Sequence, residues 1–437
     1  MRELRGGRRG PVQRRDDMKI RPVLLAAFIT GFLWTPIADT AQAKPGQAVS
    51  GVIAAAVSDN NPAAFNAPES SVYADGTRAN NEGRGSESNG SQTGSTAPAA
   101  GNGNAITLDV VVTDKSGAPV AGLQPGDFKL LDKKQAQSIV SVQAANGLSA
   151  TADPPAEAIL VVDAVNAGLT TIDSERQMLV RFLQENGGEL ALPTSLAVLS
   201  DQGLTVKNPP TRDGKVLADF INANIPGLRP ISADDWDGNM EREQLSLKAL
   251  DVFIAHASRG PGRKLLIWLS PGWRLQTSGN WVASPKDQQM LYNKIVTLST
   301  AMRAARVTLY SIDPSGIDSE LTFQQIYEAY LKGVDTPKHV DYGYLLLQVL
   351  ATQTGGKPLI ATGDLAKVMD QCMADAKAYY VLTFNPPPAA YPNEYHSIEV
   401  QVDKPGLKAR TRTGYYARPI ATGQQFIPGD SPQKPAN

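Results

Sequence analysis

The order of apolar and polar positions predicts the fold class of this chain. Between residues 158 and 377, short apolar runs alternate with stretches in which apolar residues recur every three or four positions. The clearest run, Ala158–Val162, has five apolar residues and is followed by Asp163. Such a run is typical of a central parallel strand that is covered on both faces. The alternation predicts an α/β fold: a doubly wound, mostly parallel sheet with helices on both faces.

The same two patterns, short apolar runs and apolar residues at every third or fourth position, predict the other strands and helices of this domain. The apolar runs after residue 163 predict strands at 195–199, 204–206, 265–269, 307–312 and 358–361. The helical spacing predicts helices near 172–186, 214–223, 241–257, 342–354 and 364–377, and another that carries Leu291, Ile295, Leu298 and Met302.

Both ends of the ordered chain have the pattern of β-structure instead. Short runs rich in β-branched residues, separated by turn signals, predict a small β module over residues 105–150. Similar runs follow over residues 379–418, after the α/β domain at 151–378. Because isolated sheets leave unpaired edges, we expect the two segments to pack together as a small β-sandwich module.

The N-terminal segment has the features of an export signal. Lys19 and Arg21 precede an apolar run from Val23 to Trp34, and a small-x-small site ends at Ala43. This order predicts a signal peptide over residues 1–43, with Met18 as a possible true start, and therefore a secreted or periplasmic protein without a membrane span after cleavage. Residues 44–104 and 419–437 are polar and of low complexity, which predicts a disordered linker and a flexible tail.

Charge and cysteine content narrow the class of function. The net charge of −1 gives no electrostatic case for nucleic-acid binding. The single cysteine, Cys372, shares a helical stripe with Leu365 and Met369, which predicts core packing and excludes an internal disulfide. Ser270 lies in Leu-Ser-Pro-Gly, which differs from the nucleophile elbow of hydrolases. With three histidines in unrelated positions, His256, His339 and His396, we predict that the chain is not an enzyme.

Several ordered motifs resemble one known family. They are the acid at the end of the strand at 158–163, the Leu-Ser-Pro-Gly stretch at 269–272, Tyr-Ser-Ile-Asp-Pro at 310–314, the strand at 379–386 and Thr-Gly-Tyr-Tyr-Ala at 413–417. Together they resemble the von Willebrand factor A (VWFA)-related proteins of the acidobacterial type, over residues 105–418. The resemblance implies a VWA domain, an α/β fold whose hallmark is a metal-ion-dependent adhesion site.

The resemblance also implies which residues to compare with that site. In the family, an Asp-x-Ser-x-Ser loop, a distant threonine and a late aspartate hold Mg²⁺, and one open position takes a partner's carboxylate. This chain keeps Asp163, and Thr211 is the candidate threonine. Val165 and Ala167 replace the two serines, and Pro271 stands where the late acid is expected. The resemblance therefore implies a degenerate metal site. Mg²⁺ is the only candidate cofactor, and we expect that the protein requires none.

We accordingly predict a non-enzymatic, VWA-like protein that mediates protein–protein interaction or adhesion with an unknown protein partner. The predicted binding residues are Asn166, Thr211 and Asp313, with Asp163 as the remaining metal ligand. Asn166, Asp201 and Asp313 follow or end strands and could form a site of different geometry. The alternative is a doubly wound enzyme or metal-dependent binding protein that uses Asp163 and Asp313. A structural interpretation of Asp163 is that it accepts backbone N–H bonds in its loop.

Overall fold

The structure, a computed structural model, describes residues 105–147, 156–228, 231, 236–273, 284–315, 327–361 and 363–417. The predicted signal peptide, linker and C-terminal tail lie outside these ranges.

A six-stranded, mostly parallel sheet forms the centre of the described chain. Its strand order is β10-β9-β8-β5-β6-β7, and only the edge strand β7 runs antiparallel to its neighbour. The prediction of a mixed α/β structure with such a sheet is confirmed. The six strands are β5 (Glu157–Asp163), β6 (Glu189–Ser200), β7 (Gly203–Asp213), β8 (Lys264–Leu269), β9 (Val307–Asp313) and β10 (Pro358–Ile360).

Helices cover both faces of this sheet. One face packs against α1, α2 and α6, and the other against α3, α4 and α5. The helices are α1 (Leu169–Gln184), α2 (Gly214–Asn224), α3 (Trp236–Ala257), α4 (Pro285–Ala304), α5 (Leu347–Gln353) and α6 (Leu365–Ala374). The side chains of Asp213, Ser284 and Asp364 cap the N-termini of α2, α4 and α6. Cys372 is fully buried among apolar residues of α6 and its neighbours, so its predicted core role is confirmed.

Two predicted elements differ from those observed. The helix expected over 342–354 is a 3₁₀ turn at Tyr342–Leu345 followed by α5, because the backbone at Leu346 is extended. The short strand expected at 204–206 is the start of the eleven-residue β7. Side chains of β7 are only half-buried, as expected at a sheet edge, so its polar second half carries no apolar signal.

Residues from both ends of the described chain form two antiparallel sheets that share one apolar core. In one sheet β11 lies between β1 and β4, and in the other β12 pairs with β2. The core contains Leu108, Leu130, Tyr380 and Ile398. The strands are β1 (Ile106–Thr113), β2 (Phe128–Asp132), β3 (Gln135–Gln137), β4 (Ile139–Ala145), β11 (Tyr379–Phe384), β12 (Glu394–Val402), β13 (Lys408–Arg410) and β14 (Gly414–Ala417).

Buried charged groups join these two sheets to the central sheet. Arg410 of β13 forms an ion pair with Asp375, directly after α6, and Asp375 Oδ2 also accepts a hydrogen bond of 2.6 Å from the Tyr310 hydroxyl of β9. Arg306, before β9, donates to Asp109 of β1 at 2.6 Å. The central sheet and the β-sandwich are therefore held together by specific polar contacts.

The length and polarity of the described helices decide whether one of them could span a membrane. Within these ranges, every helix is too short or too polar to cross a bilayer.

Candidate functional site

Asp163 is the last residue of β5, and its carboxyl group is completely buried. Oδ1 accepts hydrogen bonds from the backbone N–H groups of Val165 at 3.1 Å and Asn166 at 3.0 Å. Oδ2 accepts from Asn166 Nδ2 at 2.8 Å and from Trp268 Nε1 at 2.9 Å. The interpretation of Asp163 as an acceptor of backbone N–H bonds in its loop is confirmed. Asp163 thus closes the β5–α1 connection and anchors it to β8.

Two opposing effects act on the protonation of Asp163. Complete burial raises the pKa of Asp163, whereas hydrogen bonds from Trp268, Asn166 and Ser270 act to lower it. All of these neighbours donate toward the carboxyl oxygens, which is how a buried carboxylate is accommodated without a counter-ion.

Asn166 connects Asp163 to helix α3. Besides its bond to Asp163, Asn166 Nδ2 donates to the Ser246 hydroxyl at 2.9 Å. The amide oxygen of Asn166 is buried and has no hydrogen-bond partner. Among the predicted binding residues, Asn166 therefore lies beside Asp163 and carries an unpaired acceptor.

Asp313 is the last residue of β9. It therefore lies, like Asp163, at the carboxyl ends of the parallel strands, which form the carboxyl edge of the sheet. The register Val162–Leu269–Ile312 places β8 between β5 and β9, so the Cα atoms of Asp163 and Asp313 are two strand spacings, about 10 Å, apart. Asp313 Oδ1 accepts hydrogen bonds from the backbone and hydroxyl of Ser315, at 2.9 and 2.7 Å. Each acid therefore organises its own loop.

Thr211 does not lie in a loop beside Asp163. It lies within β7, opposite Thr194 in the middle of β6; Thr194 pairs with Ala158 near the start of β5, whereas Leu199 pairs with Asp163 at the end of β5. Five residues of strand separate these positions, about 16 Å. Thr211 therefore lies toward the amino ends of the parallel strands, away from Asp163. Its hydroxyl accepts a hydrogen bond from the backbone N–H of Asp213.

The residues at this edge do not fit the Mg²⁺ site that the family resemblance implies. Mg²⁺ requires near-octahedral oxygen coordination, but both oxygens of Asp163 already accept two hydrogen bonds each from the donors described above. Val165 and Ala167 have no ligating atoms, and Thr211 is remote. Among the described residues, no cluster of three or more histidine, cysteine or acidic side chains is arranged to hold a metal ion.

Glu175 of α1 is a buried acid that the sequence analysis did not select. It is fully buried, and neither carboxyl oxygen has a hydrogen-bond partner. Burial raises the pKa of Glu175 well above its usual value, and the negative charges of Asp163 and Asp313 raise it further. The spacing with Ile172, Leu179 and Phe182 places Glu175 on the apolar stripe of α1, and this was the signal that could have identified it.

Replacing Glu175 with glutamine is expected to raise stability at pH 8. The folded state favours the protonated acid, whereas the unfolded chain ionises near pH 4.5. Stability of the wild type therefore falls as pH rises above that value, until the folded-state pKa is reached. We expect urea unfolding at pH 5 and pH 8 to show a smaller loss of stability in Glu175→Gln than in wild type. Equal losses in the two proteins would contradict the assignment.

Glu243 of α3 is a second buried acid that the sequence analysis did not select. Its side chain lies one turn before Ser246, the hydroxyl that binds Asn166. The residue is 8% exposed, and burial raises the pKa of Glu243 to about 7. No apolar pattern marks this position as buried, because α3 carries charged residues on both sides of position 243.

A group of aromatic residues packs beside β8, on the face of the sheet that α3 and α4 cover. Trp268 and Trp273 make an edge-to-face contact at 5.2 Å, and Phe253 packs against Trp268. Trp273 is buried, and its Nε1–H has no hydrogen-bond partner. Trp273 is therefore part of the apolar packing around β8.

The histidines do not form a catalytic group with Ser270. His256 is 3.4 Å from Glu157, at the first residue of β5 and thus at the opposite edge of the sheet. His396 is buried in the β-sandwich, where Nδ1 is 2.8 Å from Asp132. Ser270 is fully buried and its hydroxyl accepts from the backbone N–H of Gly272.

Comparisons with known proteins identify no family. No family model matches the chain, and no curated protein matches it. Solved structures with partial similarity include the human COPII-coat protein Sec24c, at TM-score 0.28 and 8% identity, covering 60% of this chain and 44% of that one. The pilus adhesin SpaC from Lactobacillus rhamnosus GG has TM-score 0.31 and 9% identity, covering 68% and 49%. The chain spans about half the length of either structure. TM-scores this low carry no information about function.

Proposed function

We propose that this chain is a VWA-like, non-enzymatic protein that acts outside the cytoplasm and binds a protein partner through the carboxyl edge of its central sheet, without a metal ion. Open α/β sheets place their ligands at this edge. The observation that carries the proposal is the concentration of unpaired, buried polar atoms there. Of five such atoms among the described residues, four belong to Asn166, Glu175 and Trp273.

Buried polar atoms are usually hydrogen-bonded, and each exception calls for an explanation. At most buried positions of the described chain the rule holds, as for Asp163, which accepts four hydrogen bonds. All but one of these exceptions therefore belong to residues near the place where a ligand of this fold class is expected; the other, His396 Nε2, lies in the β-sandwich. These atoms are buried, so a partner that supplies hydrogen-bonding groups would satisfy them only if binding opens this edge of the sheet.

The geometry of Asp163 supports binding without a metal. A metal-dependent adhesion site needs carboxylate oxygens that are free to coordinate. Here the Asp163 oxygens are occupied by protein donors, and the positions of the two serines carry Val165 and Ala167. Asp163 is better explained as the residue that shapes the β5–α1 loop for recognition.

The rival, an enzyme or metal-dependent protein that uses Asp163 and Asp313, is less well supported. The two acids are separated by β8, and each is engaged with its own loop. A shared ion or substrate would require both to give up these bonds.

Partner capture tests the proposal. Tyr342 is half-buried and lies near Glu243 of α3. Immobilised wild-type protein should capture a specific partner from the native envelope fraction, and Tyr342→Ala should reduce the capture of that partner at least tenfold, since central aromatic contacts often contribute about 2 kcal/mol or more to binding. The captured partner is identified by mass spectrometry, and its binding is measured with purified proteins.

A matched control uses Val216, an exposed apolar residue in the first turn of α2, which begins near the opposite edge of the sheet. Val216→Ser should capture the partner as well as wild type does. If Tyr342→Ala binds like wild type while Val216→Ser does not, the partner uses another surface and the proposal fails.

A further inference from the structure

One buried cation of the described chain has no hydrogen-bond partner. Four lysine and arginine residues of that chain are less than one-tenth exposed: Arg242, Arg263, Lys264 and Arg412. The first three donate hydrogen bonds to side-chain or backbone oxygens. Arg412 is 7% exposed, and its guanidinium donates no hydrogen bond to any described residue and forms no ion pair with one. Because buried charges are normally paired, Arg412 calls for an explanation.

The Arg412 guanidinium adjoins space that a ligand can reach. In the described chain, the side-chain atoms that are both enclosed and unpaired belong to four other residues, Asn166, Glu175, Trp273 and His396. Arg412 is not among them, so its unpaired nitrogens retain surface that a water molecule can touch. An oxygen atom of a ligand can therefore take the place of that water.

Hydrogen bonds of the two flanking residues fix the position of Arg412. The Thr411 hydroxyl donates to the backbone carbonyl of Asp109 on β1 at 2.8 Å. The backbone N–H of Thr413 donates to the carbonyl of Gln353, the last residue of α5, at 3.2 Å. Arg412 therefore lies where the segment between β13 and β14 meets β1 and α5, at the junction of the central sheet and the β-sandwich. A side chain held in this way is organised before a ligand arrives, which lowers the entropic cost of binding.

The charges around Arg412 favour an anion with a single negative charge. Burial and the positive charge of Arg303, in the last turn of α4, lower the pKa of Arg412 to about 10, so the guanidinium is still charged at pH 7. Asp109 acts in the opposite direction, but its carboxylate already accepts a hydrogen bond of 2.6 Å from Arg306. Arg412 therefore has no direct counter-ion in the described chain, and the charge of Asp109 would repel a doubly charged ligand.

We propose that this junction binds a carboxylate group, which forms a bidentate ion pair with the Arg412 guanidinium. The planar fork of an arginine matches the two oxygens of a carboxylate. A further donor is available from Tyr395, whose hydroxyl is 3.4 Å from Thr413 Oγ1.

This site is separate from the carboxyl edge of the central sheet. Arg306, which binds Asp109, directly precedes β9, so the junction lies toward the amino ends of the parallel strands. The inference therefore goes beyond the proposed function and does not depend on it.

The test uses acetate as the probe and the melting temperature of the full chain at pH 7 as the signal, with acetate replacing chloride at constant ionic strength. The melting temperature of wild type should rise saturably with acetate, as expected for a ligand that binds only the folded state. Arg412→Met should show no saturable rise, and Arg412→Lys should bind at least about fivefold more weakly, because an ammonium group cannot form the bidentate pair. Lys408→Met, which removes an exposed cation of β13, should behave as wild type.

Three results would overturn the inference: no saturable effect of acetate on wild type, tighter binding of inorganic phosphate than of acetate, or an unchanged acetate response in Arg412→Met. The first two are measured on wild type, so they decide the matter even if Arg412→Met folds poorly. N-acetyl-L-alanyl-L-alanine and its C-terminal amide distinguish the source of the carboxylate. Tighter binding of the dipeptide acid than of acetate, with loss of binding for the amide, would identify the end of a polypeptide chain; tighter binding of acetate would identify a small acid.

Discussion

Replacing Asp163 with alanine should destabilise the protein by about 4 kcal/mol or more, because each of at least four buried donors left without an acceptor costs about 1–3 kcal/mol. Four hydrogen bonds of 2.8–3.1 Å lose their acceptor, from the backbone N–H groups of Val165 and Asn166, Asn166 Nδ2 and Trp268 Nε1. The Ser270 hydroxyl loses the same carboxyl group. Small domains are stable by only about 5–15 kcal/mol, so this is a large share of the total. Urea unfolding followed by circular dichroism measures the change.

Two other variants make the result specific to Asp163. Asp219→Ala removes an exposed acid of α2 and should change stability by less than about 0.5 kcal/mol. Asp163→Asn keeps an oxygen for the two backbone donors but turns an amide toward other donors, so its loss should be intermediate. If Asp163→Ala were as mild as Asp219→Ala, the carboxyl group would not organise this loop.

The second large effect is expected from Asp375, which joins the central sheet to the β-sandwich. Asp375→Ala should destabilise the protein by about 3–5 kcal/mol, the usual cost of removing one member of a buried ion pair. The change leaves the Arg410 guanidinium and the Tyr310 hydroxyl without their carboxylate. Asp375 is 2% exposed, so water cannot replace it without rearrangement. Denaturant unfolding at pH 7 measures the effect.

Asp370 provides the control for Asp375. It is exposed on the same helix, α6, and Asp370→Ala should be close to neutral. The backbone carbonyl of residue 375, which accepts from Arg263 at 2.8 Å, remains in the variant. A loss below about 1 kcal/mol for Asp375→Ala would mean that Arg410 finds another partner and that the junction does not depend on this pair.

The parts of the fold that were predictable have strong apolar periodicity. Val161 and Val162 of β5 are buried because both faces of that strand are covered, and this produces an uninterrupted apolar run. The second half of β7 was not predictable in the same way. Pro209 and Pro210 lie beside Thr211 in an edge strand, where prolines are tolerated, and the same residues are typical of a loop. The position of Thr211 was therefore misjudged.

The candidate site was predictable in place but not in detail. The strand pattern put Asp163 at the carboxyl edge, but its partner Trp268 is 105 residues away in the sequence, and no local pattern reveals that hydrogen bond. Glu175 and Glu243 were missed because acidic residues on helices usually face solvent. Their burial depends on tertiary packing, although the apolar spacing around Glu175 was a usable signal.

The most direct measurement of the central claim, recognition at this edge without a metal ion, is partner capture with and without Mg²⁺. Wild-type protein is incubated with the identified partner in excess EDTA and, separately, in millimolar Mg²⁺. Because Asp163 is occupied by protein donors, we predict the same affinity in both conditions. An affinity that is lost in EDTA and restored by Mg²⁺ would contradict the account and indicate a metal-dependent adhesion site.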